Sequence, residues 1–299
     1  MQNSTLKWIY LIVLSIIWGS SFILIKKGLV GLTPIQLGAL RILFTSFFLL
    51  LIGWKSLRTI KKQDWKWIII SGVLGTGLPV FLFAYAETEI DSAIAAILNS
   101  SVPLLTLLLG LTIFGARFLK RQLAGVLVGL AGATALILIG ASINPSQNYW
   151  YALLVILAGV MYAFNVNIIK RYMQDISAIA IATGNFIFLI PPALILLIYS
   201  DFFNQEILNS QEVQVSAGYV IILALFGTAM AKVMFNKLVQ ISNPVFASSV
   251  TYLMPIISVI WGLLDDEKFT IMQLFASLVI IAGVYLVNKK AKAQKKKII

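Results

Sequence analysis

Ten apolar blocks follow one another along the chain, separated by short polar stretches. Each block is about 20 residues long, which at about 1.5 Å per helical residue is enough to cross a hydrocarbon core of about 30 Å. The blocks are apolar throughout and lack the alternation that is typical of barrel strands. The pattern therefore predicts an all-α membrane protein with ten transmembrane helices. The predicted spans lie near residues 6–25, 34–53, 67–87, 92–114, 122–141, 150–169, 176–199, 218–240, 244–264 and 271–288.

The two halves of the chain repeat one another. At an offset of 152 residues the third and fourth spans superpose on the eighth and ninth, and a weaker match at an offset of 144 relates the first span to the sixth. The coinciding residues include Gly75 with Gly227, Thr76 with Thr228, Phe83 with Phe235, Pro103 with Pro255, Gly110 with Gly262, and Trp18 with Tyr162. Residues 1–141 form the first predicted repeat and residues 150–288 the second.

Five spans per repeat is an odd number, so the second repeat must enter the membrane in the opposite sense to the first. Inverted repeats are typical of secondary transporters, whose substrate site lies at the repeat interface near the midplane. This arrangement predicts a transporter with a small-molecule substrate. The alternative is a repeat kept for folding alone, as in some channels and membrane scaffolds.

The formal net charge of +12 indicates membrane orientation and not a nucleic-acid partner, because the basic residues gather on one side of the predicted spans. By the positive-inside rule that side is cytoplasmic. We expect a multi-pass protein of the plasma (inner) membrane with both termini cytoplasmic. The basic tail, residues 289–299, is expected to be a solvated topology anchor, with binding to anionic headgroups as the alternative. Basic residues on this side are Lys7, Lys55, Arg58, Lys61, Lys62, Lys66, Arg117, Lys120, Arg121, Lys170, Arg171 and the tail lysines.

Composition excludes several kinds of chemistry. The sequence contains no Cys and no His, which excludes disulfides, thiolate nucleophiles, imidazole bases and most transition-metal sites. Hydrolytic mechanisms depend on His, Cys or acid clusters, and the predicted spans contain none. We therefore expect no cofactor, no metal and no enzymatic activity, although an intramembrane enzyme and a lipid scramblase or channel stay as alternatives to a transporter.

The chain resembles the EamA-type transporters of the drug/metabolite transporter superfamily over essentially its whole length. The residues that carry this resemblance are Trp18-Gly19-Ser20-Ser21-Phe22, Lys26, Arg41, residues 93–132, residues 247–256, Gly262, Glu267 and Gly283. The family has Glu after the fourth and the ninth span, whereas this chain has Ala116 at the first of these positions and Glu267 at the second. The resemblance implies export or exchange of amino acids, related metabolites or xenobiotics, by alternating access. It also implies a central cavity lined by the first, third, fourth, sixth, eighth and ninth spans.

Two prolines mark candidate substrate-binding positions. A proline inside a helix leaves the carbonyl four residues earlier without its donor and bends the helix, so Pro103 and Pro255 predict kinks. Freed carbonyls and polar side chains at membrane depth are tolerated where they face protein or water. We expect the neighbouring polar residues to line the cavity, and interhelical hydrogen bonding is the alternative. These residues are Asn99, Ser100, Thr251 and Tyr252.

Lys232 is the strongest single candidate for substrate binding. An ionisable side chain inside a span costs free energy to bury, and its default interpretation is a functional residue. Its repeat mate is Val80, so the charge breaks the symmetry, and a fixed cation suits a carboxylate or another anionic group. A lysine that reaches back to the interface is the alternative. Phe235 and Asn236 lie one helical turn away, and Arg41 either braces helices or contacts substrate.

Aromatic residues with polar tips complete the predicted site, since they suit an amphipathic solute. They lie with one asparagine on spans that are expected to face the cavity, although aromatic residues in membrane helices are more often simple packing or interface residues. These residues are Trp18, Phe81, Tyr85, Tyr162 and Asn165. Glu87, at the end of the third span, is either an outer gate or a solvated cap. Proton relays use buried Asp, Glu or His, so the absence of a mid-span acid favours exchange or facilitated diffusion unless Glu87 or Lys232 titrates.

Overall fold

The structure is a computed structural model that describes residues 3–115, 120–143, 147–266 and 270–288. Within these ranges the chain is helical, with short connections and no strand. The basic tail, and the two positions Ala116 and Glu267 that follow the fourth and ninth spans, lie outside the described residues. The prediction of an all-α fold is confirmed for the described part of the chain.

Ten helical segments, called segments 1 to 10 in chain order, occupy the positions of the predicted spans. They are Thr5–Gly28, Pro34–Thr59, Lys62–Ala86, Ser92–Thr112, Lys120–Ile143, Tyr149–Tyr172, Ala178–Tyr199, Gln211–Ile241, Pro244–Leu264 and Ile271–Asn288. Eight of them, all except segments 5 and 10, are long and apolar enough to cross a membrane among the residues described. Ten crossings therefore stay a prediction, whereas eight candidate spans are a finding.

Segment 8 begins earlier than the sequence predicts, at Gln211 instead of residue 218. Its first turns are polar on one side only, because Val213 and Ser216 are buried against the end of segment 1. The Ser216 hydroxyl accepts a hydrogen bond from the Gly31 backbone N–H at 3.0 Å. This one-sided burial lets the helix continue through residues whose composition resembles a loop.

Capping residues define where the segments start. At the start of segment 2, the Thr33 hydroxyl accepts from the Gln36 N–H at 3.3 Å, and the Gln36 side-chain oxygen accepts from the Thr33 N–H at 3.0 Å. This reciprocal pair is a capping box, and Pro34 follows it at the first helical position, where its missing N–H costs nothing. At the start of segment 9, the Asn243 side chain accepts from the Phe246 N–H at 2.8 Å.

Several helices pack against the helix at the equivalent position of the other repeat. Segment 2 lies against segment 7, and segment 5 against segment 10, and both pairs join equivalent helices. Segment 3 contacts segment 6, and segment 8 contacts segment 1. Segments 3 and 8 are equivalent, as are segments 6 and 1, so these two contacts are equivalent as well. This arrangement agrees with two five-helix units related by an approximate twofold axis.

Glycines allow the close approach of segments 5 and 10. A Cβ atom on Gly283 would lie 2.6 Å from the carbonyl oxygen of Gly125 and 2.7 Å from the Cα atom of Gly129. These are backbone atoms, which cannot rotate out of the way. The Gly125-x-x-x-Gly129 pair therefore faces a third glycine in the opposite repeat, an arrangement that lets helices pack closely in membranes.

We expect Gly283→Ala to destabilise the protein by about 1–3 kcal/mol, since the added methyl group forces the two backbones apart. Thermal unfolding in detergent micelles would show the loss as a lower midpoint. Gly218→Ala in segment 8 is the matched control, because no atom lies within 4 Å of the added Cβ, and alanine favours a helix over glycine by about 0.5–1 kcal/mol. Equal midpoints for the two variants would contradict the proposed contact.

Candidate functional site

A cavity lies between the two repeats, where segments 3 and 8 and segments 4 and 9 are interrupted. The cavity volume, counted as the space that the centres of water molecules can occupy, is about 100 Å³. One water needs about 10–15 Å³ of such space, so the cavity is large enough for several waters. Segments 1 to 4 line it from one repeat, and segments 6, 8 and 9 from the other. The lining residues are Trp18, Ser21, Phe22, Ile25, Arg41, Gly75, Thr76, Val80, Phe83, Asn99, Val102, Tyr162, Asn165, Val166, Gly227, Thr228, Lys232, Phe235, Ser248, Thr251 and Met254.

The lining is built largely from repeat mates. At an offset of 144 in segments 1 and 6, and of 152 in segments 3, 4, 8 and 9, most lining residues correspond to another lining residue. The pairs are Trp18 with Tyr162, Ser21 with Asn165, Phe22 with Val166, Gly75 with Gly227, Thr76 with Thr228, Val80 with Lys232, Phe83 with Phe235, Asn99 with Thr251, and Val102 with Met254. The cavity therefore lies on the approximate axis that relates the repeats.

A π-helical stretch interrupts segments 3 and 8 at equivalent positions, Val73–Gly77 and Leu223–Met230. Such stretches change the backbone pairing to i→i+5 and are frequent at functional sites. In segment 3 the widened turn presents the carbonyl oxygen of Gly75, which accepts a hydrogen bond from Lys232 Nζ at 2.7 Å. Lys232 belongs to the second repeat, so this bond joins the two halves across the cavity.

The equivalent glycine carbonyl is bound in the same manner. The Gly227 carbonyl oxygen accepts a hydrogen bond from Trp18 Nε1 at 2.9 Å, and Trp18 belongs to the first repeat. Glycine is needed at both positions, since a Cβ on Gly75 would lie 2.7 Å from Lys232 Nζ and one on Gly227 would lie 2.6 Å from Ser21 Oγ. Each repeat thus supplies a glycine carbonyl to a side chain of the other.

Arg41 faces the same part of the cavity from segment 2. Its Nε donates to the Thr228 hydroxyl oxygen at 2.9 Å, and that hydroxyl donates to the Leu223 carbonyl at 3.1 Å. Thr228 precedes Lys232 by four residues, so both lie on one face of segment 8. The charges of Arg41 and Lys232 are close enough to repel one another.

Segments 4 and 9 break just before their prolines instead of bending around them. New helices begin as Val102–Thr112 and Met254–Leu264, and Pro103 and Pro255 are the second residue of each. A proline is tolerated in the first turn of a helix, because its missing N–H has no partner there. The prolines themselves lie outside the cavity lining.

The residues before the two breaks divide between the cavity and the protein interior. Asn99 and Thr251 line the cavity, whereas the next residue in each segment does not. Ser100 Oγ donates to the Ile97 carbonyl at 2.5 Å, and Tyr252 packs with Ile97 in an apolar cluster that includes segment 10. Adjacent residues of a helix point about 100° apart, and here the break leaves the first member of each pair toward the cavity and the second toward the protein interior.

Aromatic rings cover much of the lining. The Trp18 and Phe235 ring centroids are 5.0 Å apart, and the Phe83 ring lies between Phe22 at 5.8 Å and Tyr162 at 6.1 Å. Asn165 also lines the cavity, and its Oδ1 accepts from Ser71 Oγ at 2.6 Å. The predicted residues Trp18, Tyr162, Asn165, Lys232 and Phe235 therefore face one space.

Other predicted residues lie away from that space. The Phe81 ring packs against Gly38 of segment 2, where a Cβ would approach it to 2.5 Å. Tyr85 is 38% exposed on the outside of the bundle. Asn236 is buried, and its Nδ2 donates to the Ala178 carbonyl at 3.3 Å.

Glu87 closes the C-terminal end of segment 3. Its backbone N–H donates to the Phe83 carbonyl at 2.9 Å, and its side chain is 8% exposed. It interacts electrostatically with Arg41 but does not line the cavity. The structure thus places this acid beside the site and not within it.

Several lining residues were not among the predicted ones. Ser21 and Phe83 line the cavity, and they are the repeat mates of Asn165 and Phe235, which the sequence does single out. Thr76 and Thr228 also line it, beside the repeated glycines. Applying the repeat offset to each predicted residue would have found Ser21 and Phe83, whereas Thr76 and Thr228 are mates of each other and neither was predicted.

Comparison with known proteins gives one match for each half of the chain. A model described as the EamA-like transporter family matches residues 6–138 and 149–289. A solved protein crystal structure matches with a TM-score of 0.69 at 16% identity, covering 95% of this chain and 96% of the other. The two proteins therefore share a fold.

Similar curated proteins are named as transporters. The uncharacterized inner membrane transporter YedA of Escherichia coli K12 is 28% identical over 285 residues, which cover 93% of this chain and 89% of YedA. A probable amino-acid metabolite efflux pump of Salmonella typhimurium is 23% identical over 285 residues, 91% of each chain. A probable terminal-alkyne amino-acid exporter of Streptantibioticus cattleyicolor is 25% identical over 195 residues, 63% of this chain and 65% of the exporter.

Single cysteines would test whether the cavity admits water, because the natural sequence contains none. We expect Thr251→Cys to react with a small, charged thiol reagent in proteoliposomes, since Thr251 lines the cavity. Leu253→Cys is the matched control, two residues away and 37% exposed on the outside of the bundle, where lipid excludes a charged reagent. Mass spectrometry would count the labelled fraction. Labelling of the Leu253→Cys variant with protection of the Thr251→Cys variant would contradict the assignment.

Proposed function

Because the chain belongs to the EamA-like transporter family, we propose that it exports or exchanges small metabolites, such as amino acids, or xenobiotics by alternating access at the central cavity. The relatives named as an efflux pump and an exporter support this direction of transport. One observation carries the mechanism: the cavity is lined by residues from equivalent positions of both repeats. A site on the axis between inverted repeats presents equivalent walls to the two membrane faces.

Closing contacts at the two ends of the cavity support the same mechanism. At the end of segment 1, Lys26 Nζ lies 2.8 Å from a carboxylate oxygen of Asp265, and Lys27 pairs with the same carboxylate. Asp265 follows segment 9, so the pairs join the two repeats. We propose that they close the face of the molecule that collects the acidic residues.

Lys170 and Arg171, the repeat mates of Lys26 and Lys27 at the offset of 144, hold the opposite face. Lys170 Nζ donates to the Ser242 carbonyl at 2.6 Å, beyond the end of segment 8. Arg171 Nη1 donates to the Phe114 carbonyl at 3.0 Å, beyond the end of segment 4 in the other repeat. We propose that alternating access breaks one of these two sets of contacts while the other persists.

The distribution of Lys and Arg supports an orientation in which the face held by Lys170 and Arg171 is cytoplasmic. Both termini then lie in the cytoplasm, in a protein that crosses the inner membrane several times. The face closed by Asp265 is the outer one. Exported solute would leave through the opening between segments 1 and 9.

The transport assay uses purified protein in proteoliposomes with a panel of radiolabelled amino acids and aromatic metabolites. We expect saturable uptake and accelerated counterflow for at least one solute, because a carrier returns faster when it is loaded. Protein-free liposomes and a fluorescent phospholipid in the same vesicles are the controls. Phospholipid scrambling without solute counterflow would favour the scramblase alternative, and solute flux without counterflow would favour a channel.

Asp265→Asn should loosen the outer closure. Phe22 lines the cavity one helical turn before Lys26 in segment 1. A Phe22→Cys thiol should react about two- to fivefold faster from the outer face in the Asp265→Asn background, since partly exposed ion pairs are worth up to about 1 kcal/mol. Glu206→Gln, an exposed acid of the same face, is the control and should change nothing. An unchanged labelling rate in the Asp265 variant would refute the closure.

The closure should not depend on pH near neutrality. Burial alone raises the pKa of Asp265, but its hydrogen bonds and charge pairing with Lys26 and Lys27 outweigh this and hold that pKa below its ordinary value. A carboxylate with a lowered pKa keeps its ion pairs until the pH falls through that lowered value. Labelling of Phe22→Cys with otherwise natural sequence should therefore be constant between about pH 5 and 8, after correction for thiol ionisation.

Exchange or facilitated diffusion fits the site better than proton coupling. The cavity has no acid among its described lining residues, and proton relays in membranes use buried Asp, Glu or His. We expect counterflow rates to be the same with and without an imposed pH gradient. A gradient-driven component that Glu87→Gln abolishes would overturn this expectation and assign Glu87 a coupling role.

A further inference from the structure

Two charged side chains depart from the pairing of the lining. Lys232 lines the cavity opposite its mate Val80, which also lines it. Arg41 lines the cavity, whereas Asn185, its equivalent at the offset of 144, does not. The fold itself does not require a charge at either position, since Val80 and Asn185 occupy the equivalent positions of the other repeat. Each of these two charges occurs in one repeat only, which indicates a role in binding the solute.

Both cations keep hydrogen-bond donors available. Lys232 is 5% exposed, and its ammonium uses one of three N–H groups on the Gly75 carbonyl. Arg41 uses its Nε on Thr228, while its four terminal N–H groups have no acceptor within hydrogen-bonding distance in the described part of the chain. Because Thr228 and Lys232 share one face of segment 8, the available donors converge on one side of the cavity.

The cavity holds no compensating acid among the residues described. Glu87 interacts with Arg41 but is not part of the lining, and Lys232 bonds only a neutral carbonyl. Two like charges in a site largely removed from water repel one another strongly. An anion between them removes that repulsion and accepts the remaining N–H groups.

We propose that the transported solute is an organic anion whose carboxylate or sulfonate lies between Lys232 and Arg41. This rests on the proposed transport through the central cavity and narrows its substrate class. The aromatic walls formed by Trp18, Phe83 and Phe235 take the apolar part of the solute. The ammonium group of a zwitterion finds no carboxylate in the described lining, so net-negative solutes bind more tightly than zwitterions or cations of the same skeleton.

Four probes that share a phenylpropyl or phenylethyl skeleton separate charge from shape. They are 3-phenylpropionate, its neutral amide 3-phenylpropionamide, zwitterionic phenylalanine, and cationic phenethylamine. Binding to the purified protein is measured by isothermal titration calorimetry in detergent. We expect the anion to bind about tenfold or more tightly than each of the other three. The amide and the amine lack the charge-assisted hydrogen bonds of a carboxylate, and phenylalanine adds an ammonium group that finds no carboxylate in the described lining.

Variants of Lys232 and Lys237, which lie on the same helix, test whether the charge of Lys232 causes the preference for the anion. Lys232→Met should weaken binding of 3-phenylpropionate about tenfold to a hundredfold and leave binding of the amide unchanged. Lys232→Arg keeps the charge and should bind the anion within a few-fold of the natural protein. Lys237→Met is the matched control, since Lys237 is exposed on the same helix, and should leave the affinity unchanged. Thermal unfolding of each variant checks that it is folded.

Two outcomes overturn the inference. Binding of phenylalanine as tight as that of 3-phenylpropionate would show that the site does not select net negative charge. Equal losses in folded Lys232→Met and Lys232→Arg would show that the contact with the Gly75 carbonyl matters and the charge does not. Counterflow of any solute in proteoliposomes would leave the proposed transport function standing in both cases, whereas its absence for the whole panel would remove that function itself.

Discussion

Backbone polar groups inside a membrane must find their partners within the protein, since lipid offers none. This constraint is visible where segments 3 and 8 widen into π-helical turns. The carbonyls of Gly75 and Gly227 accept hydrogen bonds from Lys232 and Trp18, which belong to the opposite repeat in each case. Side chains of the opposite repeat thus help to satisfy the irregular backbone, in addition to the Thr76 hydroxyl, which donates to the Gly75 carbonyl at 2.6 Å, and the cavity forms where the two repeats meet.

Approximate symmetry governs most of this cavity, and its two charged lining residues depart from that symmetry. Paired aromatic, glycine and threonine positions give two similar walls. Lys232 and Arg41 have no charged counterpart across the axis, so the electrostatic field of the site is one-sided although its shape is nearly symmetric. In the transport mechanism proposed here, such a cavity would offer similar access to the two membrane faces and bind its solute at one wall.

The basic residues beyond the cavity also occupy equivalent positions in the two repeats but make different contacts. Adjacent basic residues lie at the ends of segments 1 and 6, where Lys26 and Lys27 bind at one face of the molecule and Lys170 and Arg171 bind at the other. One set binds a carboxylate and the other binds backbone carbonyls. An ion pair and a carbonyl contact differ in strength and in sensitivity to charge. The two proposed closures would therefore differ in stability, which is one route to a preferred resting state.

The sequence by itself determined the all-helical fold, the positions of the segments and the pairing of equivalent residues. These depend on local hydropathy and on the spacing of residues along the chain, both of which the sequence gives directly. It also identified Lys232, Trp18, Asn99 and Thr251, which do face the cavity. Tertiary structure alone decided that Ser100 and Tyr252 turn away, that Arg41 is held by Thr228, and that the Lys232 ammonium reaches a carbonyl 157 residues distant in sequence. Such choices depend on how each helix is rotated against neighbours that are remote along the chain, and a span that is apolar on all faces gives no hydropathy signal for that rotation.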